Sequence, residues 1–131
     1  MKITVITAAY NSEATVGEAI ASVAAQTYPE VEHLIIEGNS NDETLKAIES
    51  VRHRRMRLIS EPDDGIYDAL NKGIQNATGD LIGFVHSDDV LAHDGVLSRI
   101  AAEFADPEVE AVFGDLVYVS KSDTTRVVRL P

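Results

Sequence analysis

The sequence has 131 residues and a mass of 14.2 kDa, enough for one domain of ordinary size. Apolar residues make up 44% and charged residues 25%, and 22 acidic against 11 basic side chains leave a formal charge of -11, which argues against non-specific nucleic-acid binding or an anionic membrane surface as the main partner. Cysteine is absent, so disulfides, thiolate catalysis and cysteine-held zinc or iron–sulfur are excluded.

Strand-like and helix-like segments alternate along the chain. Lys2–Thr7 is a β-branched run that predicts a buried strand. Ser12 is placed to cap a helix whose face runs Val16, Ile20, Val23, Ala24 and Thr27 and which Tyr28-Pro29 ends. Gly17 costs that helix ~1 kcal/mol relative to alanine, so packing must hold it. His33–Glu37 predicts the second strand. Ser40 and Glu43 have the spacing of a capping box before a helix through Leu45, Ile48 and Val51. Arg52, His53, Arg54 and Arg55 fall at its C-terminal end, where the helix dipole favours cations, and with Arg57 they read as a solvated helix end rather than a nucleic-acid site. Met56–Ser60 predicts a third strand. Gly65–Ala77 predicts a helix with Ile66, Ala69, Leu70, Gly73 and Ile74 on its apolar face, closed by Thr78-Gly79. Leu81–Val85 reads as the fourth strand, and Asp94–Phe104 as a helix burying Val96, Leu97, Ile100, Ala101 and Phe104. After Asp106-Pro107, Ala111–Phe113 and Leu116–Val119 are strand-like, and Arg126–Leu130 can pair with the latter across Lys121-Ser122-Asp123.

Repeated strand–helix units predict an α/β domain over residues 1–131: a mostly parallel sheet flanked by helices, with right-handed crossovers, ending in a partial hairpin. No apolar run approaches the ~20 residues that span a bilayer. The N-terminal MKITVITAAYNSE turns polar too soon for a signal peptide, so the expected location is cytoplasmic.

In open α/β sheets, ligands bind beyond the carboxyl ends of the strands. Those ends carry Thr7-Ala8-Ala9-Tyr10-Asn11, Glu37-Gly38-Asn39-Ser40-Asn41-Asp42, Glu61-Pro62-Asp63-Asp64-Gly65 and His86-Ser87-Asp88-Asp89, four polar or acidic loops expected to meet on one rim. Asp88 and Asp89 are adjacent like charges, which either make a turn with an Asx cap or hold a hard divalent cation together with substrate phosphates. Glu37 beside Gly38 is either a solvated loop acid or an acceptor for a nucleobase or ribose. Asp42 and Ser40 have a sufficient task in helix capping. Asp64-Gly65 opens a helix whose N-terminal end favours phosphate oxygens. Asp68, Asn71 and Lys72 share a face of that helix, where Lys72 either pairs with Asp68 or neutralises a diphosphate. His86 is either structural or a metal-site neighbour. No Gly-x-Gly-x-x-Gly or Walker-type loop occurs.

The stretches ITVITAAYNSEATVGEAIASVAAQTYPEVEHLIIEGNSNDET and DDGIYDALNKGIQNATGDLIGFVHSDD resemble the family 2 glycosyltransferases of the GT-A fold, in order and spacing over about the first 90 residues. DGIYDALNKG is particularly like bacterial enzymes of exopolysaccharide and lipopolysaccharide assembly. The resemblance implies transfer of a sugar from a nucleotide-diphosphate sugar, UDP-linked at the family level, to a hydroxyl of a saccharide or lipid-linked acceptor. It further implies inversion at the anomeric carbon, dependence on Mg²⁺ or Mn²⁺, and peripheral association with membrane machinery. Residue by residue, it places Ala9 and Tyr10 by the nucleoside, Glu37 at the base in a position more often aspartate, and Asp64, Asn71 and Lys72 beside the base and diphosphate. Asp88 falls near the ribose or metal and Asp89 on the metal. His86 stands where many members have a further aspartate. In the family the base that deprotonates the acceptor lies beyond a point near residue 120, so the resemblance places it outside this chain; Asp115 does not match its position. The implied whole is a donor-binding portion with the acceptor half largely missing.

Two other classes compete with this reading. A nucleotide- or metal-binding module without turnover would share the rim. A signalling receiver would share the length and parallel sheet, but it needs an acidic pair directly after the first strand, where this chain has Thr7-Ala8-Ala9-Tyr10.

Overall fold

The first β-branched run becomes the central strand. In the computed structural model, which describes residues 1–112 and the strand residues 118–119 and 127–129, β1 (Ile3–Ala9) is buried along its whole length. β2 (Val31–Glu37) pairs with one edge of it and β4 (Leu81–Phe84) with the other. β3 (Met56–Ser60) lies beyond β2, giving the order β3-β2-β1-β4 with every pairing parallel. A parallel sheet buried on both faces needs helices on both. These are α1 (Val16–Ala24), α2 (Thr44–Ser50), α3 (Ile66–Asn76) and α4 (Val96–Glu103).

Strand residues alternate between the two faces. Ile6, Ala8, Leu34 and Ile36 meet Ala69 and Leu70 of α3. On the opposite face, Ile3, Val5 and Val31 pack with Val23 of α1 and Leu97 of α4, while Ala9, Ile35 and Met56 pack with Val16, Ile20 and Ile48. Gly73 lets α3 approach closely, since a Cβ there would lie 2.5 Å from Ile6 Cγ2. The buried stripe of α3 is narrower than its sequence predicts: Ala69 and Gly73 are buried, but Ile66 and Ile74 are about half exposed. β4 is an edge strand, and its Ile82 and Phe84 are likewise exposed.

Three expected local features differ. Ser12 does not cap α1 through its side chain; its carbonyl accepts the N–H groups of Thr15 and Val16 at 3.1 and 3.0 Å, and Thr15 is the N-cap. The Ser40–Glu43 capping box does not form, because α2 begins at Thr44 and Asp42 Oδ1 accepts the Thr44 N–H at 2.9 Å. The arginine cluster is only partly a solvated helix end. Arg52 pairs with Glu49, but Arg55 donates to the carbonyls of Gln26 and Tyr28, and Arg57 donates to the buried Glu32 at 2.9 Å. Burial alone would raise the pKa of Glu32, but hydrogen bonds from Thr78 and Thr4 together with Arg57 outweigh it and hold the carboxyl below its ordinary value.

The chain divides into two compact units, Met1–Ala101 and Ala102–Pro131. In the second, β5 (Tyr118–Val119) pairs antiparallel with β6 (Val127–Arg129), so the expected pairing of the 116–119 and 126–130 segments is present over these shorter strands. Ala111 and Val112 are not in a strand. Phe113, Asp115 and Leu116 lie outside the described residues. Among the described residues, no helix is long and apolar enough to cross a membrane.

Candidate functional site

The strand registers bring the loops together. Ala9 lies opposite Glu37 and Glu37 opposite Ser60, so β1, β2 and β3 end level. β4 stops opposite Ile6, and the Val85 N–H continues the ladder to the Ile6 carbonyl at 3.1 Å. The loops after all four strands therefore share one edge of the sheet.

The first two loops are stitched together. Asn11 N–H donates to Ser40 Oγ at 2.9 Å, and Asn41 N–H returns to Asn11 Oδ1 at 2.9 Å, with Asn11 at a positive φ of 48°. Ser12 N–H donates to Thr44 Oγ1 at 2.7 Å, and Glu43 N–H to Glu13 Oε2 at 3.2 Å. Ser12 Oγ lies 2.9 Å from Ser87 Oγ, which joins the first loop to the fourth.

These loops enclose a cleft of about 520 Å³. Asn11, Ser12 and Thr15 come from the first loop, Ile66 from the start of α3, and His86, Ser87 and Asp88 from the fourth loop. The N-terminal ends of α1 and α3, at Thr15 and Ile66, both open on it, and neither helix has a side-chain cap. The Ser12 carbonyl takes the Thr15 and Val16 N–H groups of α1, and Asp63 and Asp68 take the Gly65 and Asp64 N–H groups before α3. The remaining first-turn N–H groups and the positive ends of the two dipoles favour an anion.

Asp88 is exposed on this cleft, and Asp89 follows it in a turn closed by Asp89 N–H to the His86 carbonyl at 3.0 Å. Among the described residues, neither carboxylate accepts a hydrogen bond, and no group of three or more His, Cys, Asp or Glu side chains could hold a metal ion. Two hard carboxylates without a complete protein shell fit a Mg²⁺- or Mn²⁺-type ion whose remaining ligands are water and phosphate oxygens.

The other expected site residues divide. Tyr10, Asp64 and Asn71 are exposed in the loop after β1, in the loop after β3 and on α3. Lys72 is tied to the loop after β3, donating to the Pro62 carbonyl at 2.9 Å and pairing with Glu61 and Asp68 at 3.2 and 3.7 Å. Partial desolvation alone would lower its pKa, but Glu61, Asp68 and Asp63 outweigh this and hold the ammonium above its ordinary value. Ala9 does not reach the cleft: its side chain is buried against Val16, Ile20 and Ile35, and its carbonyl accepts Gly38 N–H at 3.0 Å.

Glu37 is neither a solvated acid nor open to a ligand. It is 1% exposed, with Oε1 accepting from Ser60 Oγ and Oε2 from the N–H and Oγ of Ser40, each at 2.7 Å. Burial alone would raise its pKa, but the Ser60 and Ser40 hydrogen bonds outweigh it and keep the carboxyl below its ordinary value. Because Ser40 Oγ also accepts from Asn11 N–H, Glu37 acts as the anchor of the first two loops. At Gly38 a Cβ would lie 2.7 Å from Asp63 Oδ2, so the Asp63 carboxylate of the third loop packs directly over this glycine and would have to shift for any larger residue. Ser12 and Ile66, expected as a helix cap and an apolar-face residue, and Ser87 of the fourth rim loop line the cleft with Thr15; their position at strand ends and helix starts is the sequence signal for that role.

The profile of Glycosyl transferase family 2 matches residues 4–130. The chain belongs to this family. Among relatives of this family 2 chain, a PGL/p-HBAD biosynthesis glycosyltransferase of Mycobacterium bovis is 32% identical over 111 residues, covering 82% of this chain and 43% of the relative. Staphylococcus aureus TarS 1-349 in complex with UDP-GlcNAc is similar in structure, with a TM-score of 0.72 and 31% identity over 82% of this chain and 32% of that one. The Pyrobaculum calidifontis mannosyltransferase PcManGT, in complex with GDP-Man and Mn²⁺, gives a TM-score of 0.76 and 26% identity over 82% and 33%. The four-stranded parallel sheet with helices on both faces is thus the corresponding part of the GT-A fold. This family 2 chain spans 37–43% of the length of the curated relatives it matches.

Proposed function

We propose that this chain binds the donor for a glycosyltransferase that moves a sugar from a nucleotide-diphosphate sugar, UDP-linked, to a hydroxyl of a saccharide or lipid-linked acceptor at membrane-associated machinery in the cytoplasm. The observation that carries this reading is the cleft at the carboxyl edge, which Asp88 lines together with the N-terminal ends of two helices that lack side-chain caps. Its support from outside is the UDP-GlcNAc and GDP-Man bound by the structural neighbours.

In this proposal the diphosphate lies against the N-terminal ends of α1 and α3, with Asp88 and Asp89 as the metal-binding carboxylates. A bound Mg²⁺ or Mn²⁺ would neutralise the charge that grows on the departing diphosphate. Tyr10, Asp64 and Asn71 flank the nucleoside, and Lys72 adds positive charge at the diphosphate side. Glu37 contributes by fixing the first two loops, so that Asn11 and Ser12 keep their places in the wall. In the transfer, the acceptor oxygen bonds to the anomeric carbon as the bond to the diphosphate oxygen breaks, through an oxocarbenium-like state. A carboxylate outside this chain takes the hydroxyl proton, and attack opposite the leaving group gives inversion.

A panel of nucleotide sugars tests this reading. A matching donor at 100-fold its Kd should raise stability by ~2.7 kcal/mol in the presence of Mn²⁺. If UDP- and GDP-sugars all leave the melting temperature unchanged, the donor-binding reading is wrong. Nucleotide binding without turnover in a transfer assay on the same protein would instead favour a non-catalytic module.

A further inference from the structure

The proposed chemistry leaves unused a histidine pair at the sheet, one ring buried and the other half-buried. His33, on β2, is fully buried, and its Nε2 lies 2.7 Å from Thr7 Oγ1. The same hydroxyl donates to the Val85 carbonyl at 2.6 Å. A hydroxyl has one proton and a carbonyl can only accept, so His33 Nε2 must carry a proton and donate it to Thr7. Neutral His33 Nδ1 is then a bare acceptor, and among the described residues it is buried without a partner. His53, in the turn before β3, has the complementary deficit. Its Nδ1 accepts Arg55 N–H at 3.3 Å, so Nε2 carries the proton, and that atom too is buried with no partner among the described residues. The ring centroids are 6.2 Å apart. Buried polar atoms are almost always paired, and here an unmatched donor neighbours an unmatched acceptor.

We propose that His53 Nε2–H closes on His33 Nδ1, directly or through one buried water, so that a hydrogen-bond relay of fixed polarity runs from His53 through His33 and Thr7 to Val85. Val85 is the last residue held to β1 before the fourth loop, through its N–H to Ile6 and its carbonyl to Thr7. His86, Ser87 and Asp88 follow it directly into the cleft wall. Thr7, His33 and His53 are thus positioning residues for that wall. Among the described residues, the charged groups that act on the pair are the histidines themselves and Arg55, whose guanidinium is held by the Gln26 and Tyr28 carbonyls. Burial and then the neighbouring His53 push the pKa of His33 down to about 3, consistent with a ring that works only when neutral.

The functional arm of this inference rests on the donor-binding reading; the polarity of the relay does not. In a long-range ¹H–¹⁵N spectrum of the chain, His33 and His53 should both be neutral Nε2–H tautomers at neutral pH, with His33 unchanged down to about pH 5. His53→Phe should shift the His33 Nδ1 resonance and the amides of His86–Asp88. Thr7→Val should move the same amides and weaken UDP binding in Mn²⁺ by about tenfold, and Thr7→Ser should restore it to within about twofold. An Nδ1–H tautomer of His33, its titration near pH 6.5, or unmoved His86–Asp88 amides in Thr7→Val would overturn the relay. Should the unsubstituted chain fail to bind UDP while the tautomers and amide shifts are as expected, the donor reading falls and the relay stands as the anchor of the fourth loop.

Discussion

The hydroxyl of Ser12 lies 2.9 Å from that of Ser87, and this contact bridges two loops 75 residues apart in sequence across the mouth of the cleft. One end follows the central strand and the other follows the edge strand, so the bond fixes the spacing between the Asn11 wall and the Asp88 wall.

Replacing Ser87 with alanine removes a single hydrogen bond between half-buried hydroxyls, worth about 0.5–1.5 kcal/mol. Its effect should fall mainly on the site. UDP affinity measured by titration calorimetry should drop by about three- to tenfold, while the melting temperature moves by only a few degrees.

Glu37→Gln tests the anchoring role of the buried carboxylate. The amide keeps one acceptor oxygen where Ser40 and Ser60 now donate three hydrogen bonds, and it turns an N–H₂ group toward a donor. The expected loss is about 1–3 kcal/mol in chemical denaturation, with the amides of residues 10–15 and 38–43 shifted in the NMR spectrum. A loss of nucleotide affinity with no change in stability would instead mark Glu37 as a ligand-contacting group.

How much of this was legible in the sequence depends on how local the cause was. β1 and β2 were read from apolar β-branched runs, and the shared rim followed from the alternation of strands and helices, because parallel strands necessarily end together. The fates of Glu37, Glu32 and His33 were not readable in that way. A polar residue in a strand is admitted to the core only by partners from elsewhere: Ser60 for Glu37, Thr78 and Arg57 for Glu32, Thr7 for His33. The failed capping box has the same origin, since Ser40 Oγ accepts from Asn11 N–H of the first loop while it donates to the Glu37 carboxylate. Ile66 and Ile74 fit a helical stripe by spacing, but the close approach at Gly73 sets α3 against β1 so that Ala69, not its larger neighbours, fills the contact.

Acid should destabilise the protein in two windows. His33 has a folded pKa of about 3 against 6.5 when unfolded, so between these values the unfolded chain binds the extra proton and stability falls as pH falls. The limiting slope is about 1.4 kcal/mol per pH unit for this one group. Glu37 and Glu32 have lowered folded values, so their contribution is complete above the ordinary carboxylate pKa of 4.5 and is lost as pH drops through the folded one. Denaturation midpoints between pH 7 and 4 should show the histidine slope, and it should flatten in His33→Phe whatever that variant's absolute stability.

Lys72 has a structural task in holding Pro62, Glu61 and Asp68, and the proposal gives it a second. Lys72→Ala should then weaken UDP more than uridine. Equal losses for the two ligands would confine Lys72 to tying the third loop.

The most direct measurement is calorimetric titration of UDP into the protein with and without Mn²⁺, repeated on Asp89→Ala. The account predicts Mn²⁺-dependent binding that Asp89→Ala weakens by at least about tenfold, with the melting temperature of the unliganded chain held to within a few degrees because a rim carboxylate contributes little to the core. Affinity that is the same with and without Mn²⁺, and the same in Asp89→Ala, would contradict it.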